Sequence, residues 1–363
     1  MERILFLSHN IGYNGGGAER QIVTVACLLK EKGYDVEFLC YCRGSFYENI
    51  LEEHNIKINW LISSSYIGRM LSIRKFIRKN KYDVVISFLD TPNFLNCFAA
   101  IGGKKWKVIT SERSAKEEFF CSQKGKIFAW FQRYSDSIVC NSENAKRMWI
   151  KHYPCYKDKM HVIYNSVYFN KKINSEYIIR KDGKLHITVL ASYQYLKNPI
   201  GMIKAIISMN NEERSRFVIE WYGNPNMRER CYDESMQLVE KHNLCDIIHL
   251  NKQIDNPNEV IVESDFIALF SKVEGLPNAI CEGMTLGKPI IMSRVSDYDV
   301  LVDETNGFLC DWDKIETIKN AINNACSMTN ENIINMGDNS HKKAKILFSK
   351  DNISNSWINL MTT

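Results

Sequence analysis

Glu274 and Glu282 are separated by seven residues in the run Ser271-Lys-Val-Glu-Gly-Leu-Pro-Asn-Ala-Ile-Cys-Glu-Gly-Met284. Ahead of them lies a short apolar run, Asp265 to Phe270, and behind them a helical pattern beginning near Asn278. Gly275, Leu276 and Pro277 make the turn between the two. This layout suits a sugar nucleotide. Backbone N–H groups at a helix start have no partner within the helix and attract phosphate. A glutamate just before the turn can accept hydrogen bonds from sugar hydroxyls. A second one, a helical turn or roughly 6 Å beyond Asn278, can reach another set of hydroxyls, such as a ribose. The plainer alternative is a strand–turn–helix with two surface acids.

A second loop has chemistry of its own. His9-Asn-Ile-Gly12-Tyr-Asn-Gly15-Gly16-Gly17-Ala18-Glu19-Arg20 places three consecutive glycines before a helix, which lets backbone approach a ligand closely and aims N–H groups at an anion. No Gly-Lys-Ser/Thr follows, so it is not a Walker loop. The glycine spacing is wrong for a dinucleotide fingerprint, and the second strand runs into Cys40-Tyr41-Cys42 where an acid for a ribose would stand. Two D-x-D sequences, Asp297-Tyr-Asp299 and Asp311-Trp-Asp313, read as structural, the second as a helix cap.

These loops need elements to position them. The first half alternates strands (Arg3–Ser8, Asp35–Tyr41, Lys57–Leu61, Asp83–Phe88, Val108–Ser111, Ser137–Cys140) with helical patterns near 18–32, 66–80, 92–101, 116–134 and 142–152. Residues 165–182 are polar and aperiodic. Alternation then resumes with strands at His186–Ala191, Arg216–Tyr222, Ile247–Leu250, Asp265–Phe270 and Pro289–Met292, and with helices after Pro199 and near 228–242, 313–326 and 351–361. Such alternation predicts an α/β protein with doubly wound parallel sheets. At 363 residues two domains are expected. The division is 1–168, a linker at 169–182, 183–348, and a terminal helix at 349–363 that packs back on the first domain. Ligands of such sheets sit at the carboxyl ends of the strands, and both loops are there.

The net charge of +5 is unevenly spread. Residues 1–180 hold 28 Lys and Arg against 17 Asp and Glu, a net of +11; residues 181–363 hold 19 against 25, a net of −6. The basic half fits an anionic partner. The twelve cysteines are scattered without a C-x-x-C pair, which argues against a zinc site or a disulfide framework. No apolar run reaches the ~18 residues of a membrane span, and the start has no signal-peptide layout. A cytoplasmic protein is expected, peripheral on the inner face of the cell membrane.

Gly16-Gly17-Ala-Glu-Arg20, Val162-Ile-Tyr-Asn165-Ser-Val, Val189-Leu-Ala-Ser-Tyr-Gln-Tyr-Leu-Lys197-Asn198-Pro199, the Glu274–Glu282 motif and Asn306-Gly-Phe-Leu309 occur in this order. Together they resemble the family-4 retaining glycosyltransferases of GT-B fold, in which two Rossmann-like domains face a central cleft. The resemblance implies that Glu274 contacts donor-sugar hydroxyls and Glu282 the ribose. The backbone of Gly275, Leu276, Pro277, Asn278 and Ala279 lines the diphosphate and sugar, Gly16 and Gly17 close on the phosphates, and Lys197 neutralises the leaving diphosphate. The family usually places an arginine five residues before that lysine; here the position is Ser192. Arg20 and Arg113 are candidate substitutes.

On the acceptor side, Ser87-Phe-Leu-Asp90-Thr-Pro-Asn93 and Thr110-Ser-Glu112-Arg113 follow strands of the first domain. Asp90 is a candidate to orient the acceptor hydroxyl and Arg113 to bind an acceptor phosphate; the alternative for Asp90 is a turn or cap residue. Residues 69–81 carry six cations and no acid, with Met70, Leu71, Ile73 and Ile77 as an apolar stripe. Such a helix can lie on an anionic membrane, with Phe119, Phe120, Phe128, Trp130 and Phe131 as interfacial aromatics; the alternative is an ordinary packed helix with a solvated basic face. The expectation is a metal-independent retaining glycosyltransferase that uses a UDP-sugar as substrate, needs no cofactor, and glycosylates a lipid-linked or surface-polysaccharide glycan. A sugar-nucleotide epimerase and a non-catalytic two-lobed binding module are the rivals. Nucleic acid is excluded as a partner because the basic residues adjoin no recognisable motif.

Overall fold

The computed structural model describes residues 2–12, 17–113, 117–167, 183–226 and 229–363. Apolar runs such as Ile4-Leu-Phe-Leu7 are buried along their whole length, as strands inside a parallel sheet must be. The first sheet contains β1 (Arg3–Ser8), β2 (Asp35–Cys40), β3 (Lys57–Trp60), β4 (Val84–Phe88), β5 (Lys107–Glu112), β6 (Ser137–Cys140) and β7 (Met160–Val162). Its order is β3-β2-β1-β4-β5-β6-β7, with every pairing parallel. The second contains β8 (Leu185–Leu190), β9 (Phe217–Gly223), β10 (Ile248–Lys252), β11 (Phe266–Leu269), β12 (Ile290–Ser293) and β13 (Gly307–Cys310), in the order β10-β9-β8-β11-β12-β13.

Each sheet belongs to a compact unit. One comprises Met1–Ser166 and Lys350–Thr363, the other Val167–Ser349. In the first, alternate residues of β1 feed opposite faces. Ile4 and Phe6 join a core with the Gly17–Glu31 helix and with Ile353 and Trp357 of the terminal Lys350–Thr362 helix. Leu5 and Leu7 join a core with Ile73 and Ile77 of the Tyr66–Asn80 helix and Leu95 and Ala99 of the Asp90–Ala100 helix. The expected linker lies outside the described residues.

Several local expectations change. The predicted 116–134 helix is two helices, Glu117–Cys121 and Gln123–Phe131, because Ser122 is extended and its hydroxyl caps the second by accepting from Gly125 N at 2.9 Å. The β7 strand has only three residues, too few to show an alternation. The stripe read on residues 69–81 divides. Ile73 and Ile77 are buried and Met70 packs against them, while Leu71 faces solvent. Two of its cations are also occupied. Arg74 donates to the carbonyls of Phe98, Ala99 and Ile101, and Arg78 to those of Ala99, Ile101 and Gly103. Guanidinium groups there satisfy the last carbonyls of the Asp90–Ala100 helix and complement its dipole.

Candidate active site

In the second unit, β8 and β11 are neighbours, so the segments that follow them emerge side by side. After β8 the chain makes the Tyr195–Lys197 turn, and after β11 it enters the glutamate motif. The two are tied where Lys272 N donates to Leu196 O at 2.7 Å. Asn198, in the left-handed region with φ +63°, ends the turn, and Pro199 starts the next helix. Asparagine tolerates this conformation better than most residues, and Asn198 Nδ2 anchors it on Trp312 O at 2.8 Å.

This arrangement brings Lys197 and Glu274 together although they lie 77 residues apart in sequence. Lys197 Nζ donates to Glu274 Oε1 at 2.6 Å, and Ser271 Oγ donates to the same oxygen at 2.6 Å. Their side chains are 20% and 11% exposed respectively, so the pair is half-withdrawn from water. Ser271 is itself fixed, since its carbonyl accepts from Ser293 Oγ of β12 at 2.6 Å. The Gly275 carbonyl accepts from Ser296 Oγ. Ser271, Ser293 and Ser296 were not singled out from the sequence. Hydroxyls that pin a loop carry no spacing signature.

Leu276 and Pro277 are buried, and Pro277 takes the N-cap position of the Asn278–Thr285 helix without a side-chain cap. Ala279 lies in the first turn, and the partly exposed Glu282 a turn further on. Gly283 lets this helix lie close to β11: a Cβ there would stand 2.8 Å from Ile267 Cγ1. The carboxylate pair, the lysine and an uncapped helix start thus share the carboxyl end of one sheet.

Ser192, where an arginine was expected, donates to Gln194 Oε1 at 3.1 Å. The two candidate substitutes, Arg20 and Arg113, belong to the other unit. Gly17 opens the Gly17–Glu31 helix and is exposed, whereas Gly16 lies outside the described residues. Asp311 is not a cap: Lys314 takes the N-cap position of the Ile315–Cys326 helix, and the Asp311 carboxylate pairs with Arg294 at 3.0 Å and Lys314 at 2.9 Å. Asp297 is fully buried.

In the first unit, Asp90 is the first residue of the Asp90–Ala100 helix, two residues earlier than expected. Leu89 before it has φ +74° and ψ 162°, a region almost reserved for glycine, which costs about 1–3 kcal/mol. Arg113 lies over the Phe88 ring at 3.9 Å and donates from Nη1 to Asn165 Oδ1 at 3.0 Å. Burial pushes its guanidinium down to about 9. Its Nε has no partner among the described residues. Buried Glu112 feels the charges of both Asp90 and Arg113. The strand-end position of Glu112 was noted in the sequence, but nothing there marked it as an interior acid.

Residues 15–170 match the family model described as Glycosyltransferase Family 4, and residues 185–327 the one described as Glycosyl transferases group 1. The chain is a family-4 glycosyltransferase. The two matches divide between the two sheets, and the fold is GT-B, built of two Rossmann-like domains. Among its relatives is an enzyme of Campylobacter jejuni, the GalNAc-alpha-(1->4)-GalNAc-alpha-(1->3)-diNAcBac-PP-undecaprenol alpha-1,4-N-acetyl-D-galactosaminyltransferase. It is 26% identical over 96% of this chain and 95% of its own. Another is the UDP-Gal:alpha-D-GlcNAc-diphosphoundecaprenol alpha-1,3-galactosyltransferase of Escherichia coli, 26% identical over 74% of this chain and 71% of its own. Among solved structures, Anabaena HepE with UDP and glucose superposes with a TM-score of 0.82 at 17% identity, covering 100% of both chains. The apo lipopolysaccharide outer core galactosyltransferase WaaB superposes with 0.79 at 14% identity, covering 99% of each.

Proposed function

We propose that this glycosyltransferase moves a hexose or N-acetylhexosamine from a UDP-sugar to a glycan on a diphosphoundecaprenol-type lipid, with retention at the anomeric carbon and without a metal or cofactor. The observation that carries the reading is the Lys197–Glu274 pair at 2.6 Å, beside the uncapped start of the Asn278–Thr285 helix. Glu274 holds hydroxyls of the donor sugar. Glu282 holds the ribose. The backbone from Gly275 to Ala279, with Lys197, takes the diphosphate. Gly16 and Gly17 add backbone N–H groups. As the C1–O bond to the diphosphate breaks, Lys197 stabilises the charge left on the leaving oxygen. The acceptor hydroxyl, oriented by Asp90, forms the new C1–O bond on the same face, and its proton passes to the departing phosphate oxygen. Arg113 meets the acceptor's phosphate. The undecaprenol-linked acceptors of the Campylobacter jejuni and Escherichia coli relatives support the acceptor class, and the UDP in HepE supports the nucleotide.

The test is transfer from UDP-Gal, UDP-GalNAc, UDP-Glc and UDP-GlcNAc to undecaprenyl-diphosphate-linked GlcNAc, with and without EDTA. One donor is expected to give an α-linked product at a rate unchanged by EDTA. Interconversion of UDP-sugars without acceptor would replace transfer by epimerisation. A β-linked product would remove retention, and loss of rate with EDTA would remove metal independence.

An acceptor held in a bilayer calls for a surface that meets it, and the Tyr66–Asn80 helix supplies the candidate. Ile67 and Leu71 are 68% and 55% exposed, Ile62 and Tyr66 are exposed beside them, and Lys75, Lys79 and Lys81 follow. Of the aromatics that suited an interface, Trp130 is exposed, whereas Phe120 is buried and Phe128 and Phe131 pack around Phe94. No helix among the described residues is long and apolar enough to cross a membrane. We propose that the exposed apolar residues of this helix, with its lysines, hold the enzyme on the inner face of the cell membrane. In co-sedimentation with phosphatidylglycerol vesicles, the double variant Ile67→Asp, Leu71→Asp is expected to bind at least about 100-fold more weakly, because the two side chains together forfeit about 3–6 kcal/mol of apolar burial. Unchanged sedimentation would take this helix off the membrane.

A further inference from the structure

Glu112, only 4% exposed at the carboxyl end of β5, is enclosed by a polar network that holds the segment carrying Asp90. Its Oε1 accepts from Asn93 Nδ2 at 3.0 Å and from Gln132 Nε2 at 3.3 Å. Asn93 is in the first turn of the Asp90–Ala100 helix and bonds in three further directions. Its Oδ1 accepts from Ser87 Oγ at 2.9 Å and from Ser111 N at 3.3 Å, and its Nδ2 also donates to Ser111 O at 3.0 Å. Gln132 Oε1 in turn accepts from Thr110 Oγ1 at 2.8 Å. β4, β5 and the helix start are thereby tied at one point. That point also holds Leu89 in its strained conformation: Leu89 N donates to Ser111 O at 3.1 Å, and Leu89 O accepts from Asn93 N at 3.0 Å.

We propose that Glu112 is a positioning residue for sugar transfer, fixing through Asn93 the strained turn from which Asp90 projects. This rests on the transfer reading above and adds to it a residue that touches neither substrate. The two donors fall on one oxygen, which leaves the other for a proton, and the surroundings favour the neutral acid. Burial first, and then the Asp90 carboxylate, push Glu112 up to about 8, against a smaller opposite pull from Asn93 and Arg113. The other titratable groups facing it are the thiols of Cys97, on the Asp90–Ala100 helix, and Cys140, on β6; burial lifts both above the ordinary thiol range. An interior acid whose folded pKa is raised adds stability that is complete below the ordinary carboxylate range and is lost as pH rises through the folded value. At alkaline pH, a second negative charge appears beside Asp90 and the turn loosens.

Glu112→Gln keeps an acceptor oxygen for Asn93 and Gln132 and cannot ionise. Glu112→Ala leaves both donors without an acceptor. The full chain, in wild-type and both variant forms, is assayed for transfer to undecaprenyl-diphosphate-linked GlcNAc from about pH 6 to about pH 9.5, with thermal melts and UDP calorimetry alongside. The wild type is expected to lose about tenfold in transfer rate across the alkaline half of this range. Glu112→Gln should stay within about threefold of the neutral-pH wild type and lose that alkaline fall, and its melting temperature should decline less with pH. Glu112→Ala should transfer at least about tenfold more slowly at neutral pH with unchanged UDP affinity. An alkaline fall that persists in Glu112→Gln, or a Glu112→Ala variant as fast as the wild type, would overturn the proposal. A wild type that binds UDP but transfers from none of the four donors would instead overturn the transfer reading, and this inference with it.

Discussion

Glu274→Ala is expected to transfer sugar at least about 10²-fold more slowly than the wild type while melting within a few degrees of it. The expectation follows from where the carboxylate is held. Its backbone leaves the buried end of β11, Ser271 and Lys197 both bind Oε1, and the side chain is 11% exposed. With Oε1 so occupied, Oε2 is the oxygen that the proposed reading gives to a sugar hydroxyl. On the proposed reading the interaction is with the sugar ring, which becomes positively charged as C1 loses its bond to phosphate, so removing it would act more on the transition state than on the bound donor. The loss should therefore appear in kcat at saturating UDP-sugar, with a smaller change in KM. Initial rates on the purified variant, with a melt to show the fold, decide the matter. Undiminished turnover would take Glu274 out of the site.

Lys197→Ala is expected to lose about 10²- to 10³-fold in kcat, the scale seen when one preorganised charge is removed from a leaving oxygen. Ser192 supplies no positive charge where the family resemblance places a second cation, so on the proposed reading the diphosphate would lean more heavily on this lysine. Replacement by methionine keeps the packing of the stem, and its similar loss would assign the effect to charge. The double variant of Lys197 and Glu274 should fall well short of the product of the two single losses, because each residue fixes the other. If Lys197→Met turned over at the wild-type rate, the departing phosphate would have to be stabilised elsewhere. A strictly multiplicative double loss would show that the 2.6 Å pair does not act as a unit.

The sequence carried the fold because its strands are short, continuous apolar runs, and buried parallel strands require that. It also carried the strand–turn–helix of the glutamate motif. Glu274, Glu282 and the turn between them lie within one strand–turn–helix, where spacing translates directly into geometry. Partnerships across long separations were not legible. Lys197 and Glu274 meet because β8 and β11 pair, and pairing order is a property of the whole sheet. Ser271, Ser293 and Ser296 stabilise the loop by bonds that any hydroxyl could make, so nothing in their spacing announces them. The residues 69–81 show the opposite error. Their charge count suggested basic residues flanking an apolar stripe and open to a membrane, but Arg74 and Arg78 donate to carbonyls at and just beyond the end of a neighbouring helix. Composition does not distinguish a cation facing water from one completing another helix's end.

The last helix has a consequence for the order in which the enzyme is made. Lys350–Thr363 belongs to the unit formed by the first 166 residues, and Trp357, fully buried, stacks on Phe88 at 5.9 Å. Phe88 is the ring that also carries the Arg113 guanidinium at 3.9 Å. Residues 167–349 can therefore close their own core as they emerge from the ribosome, whereas the unit begun first must wait for the final helix. A nascent chain, or one clipped after residue 349, would hold an intact second unit and an unfinished first one; on the proposed reading it would bind the donor and transfer it poorly.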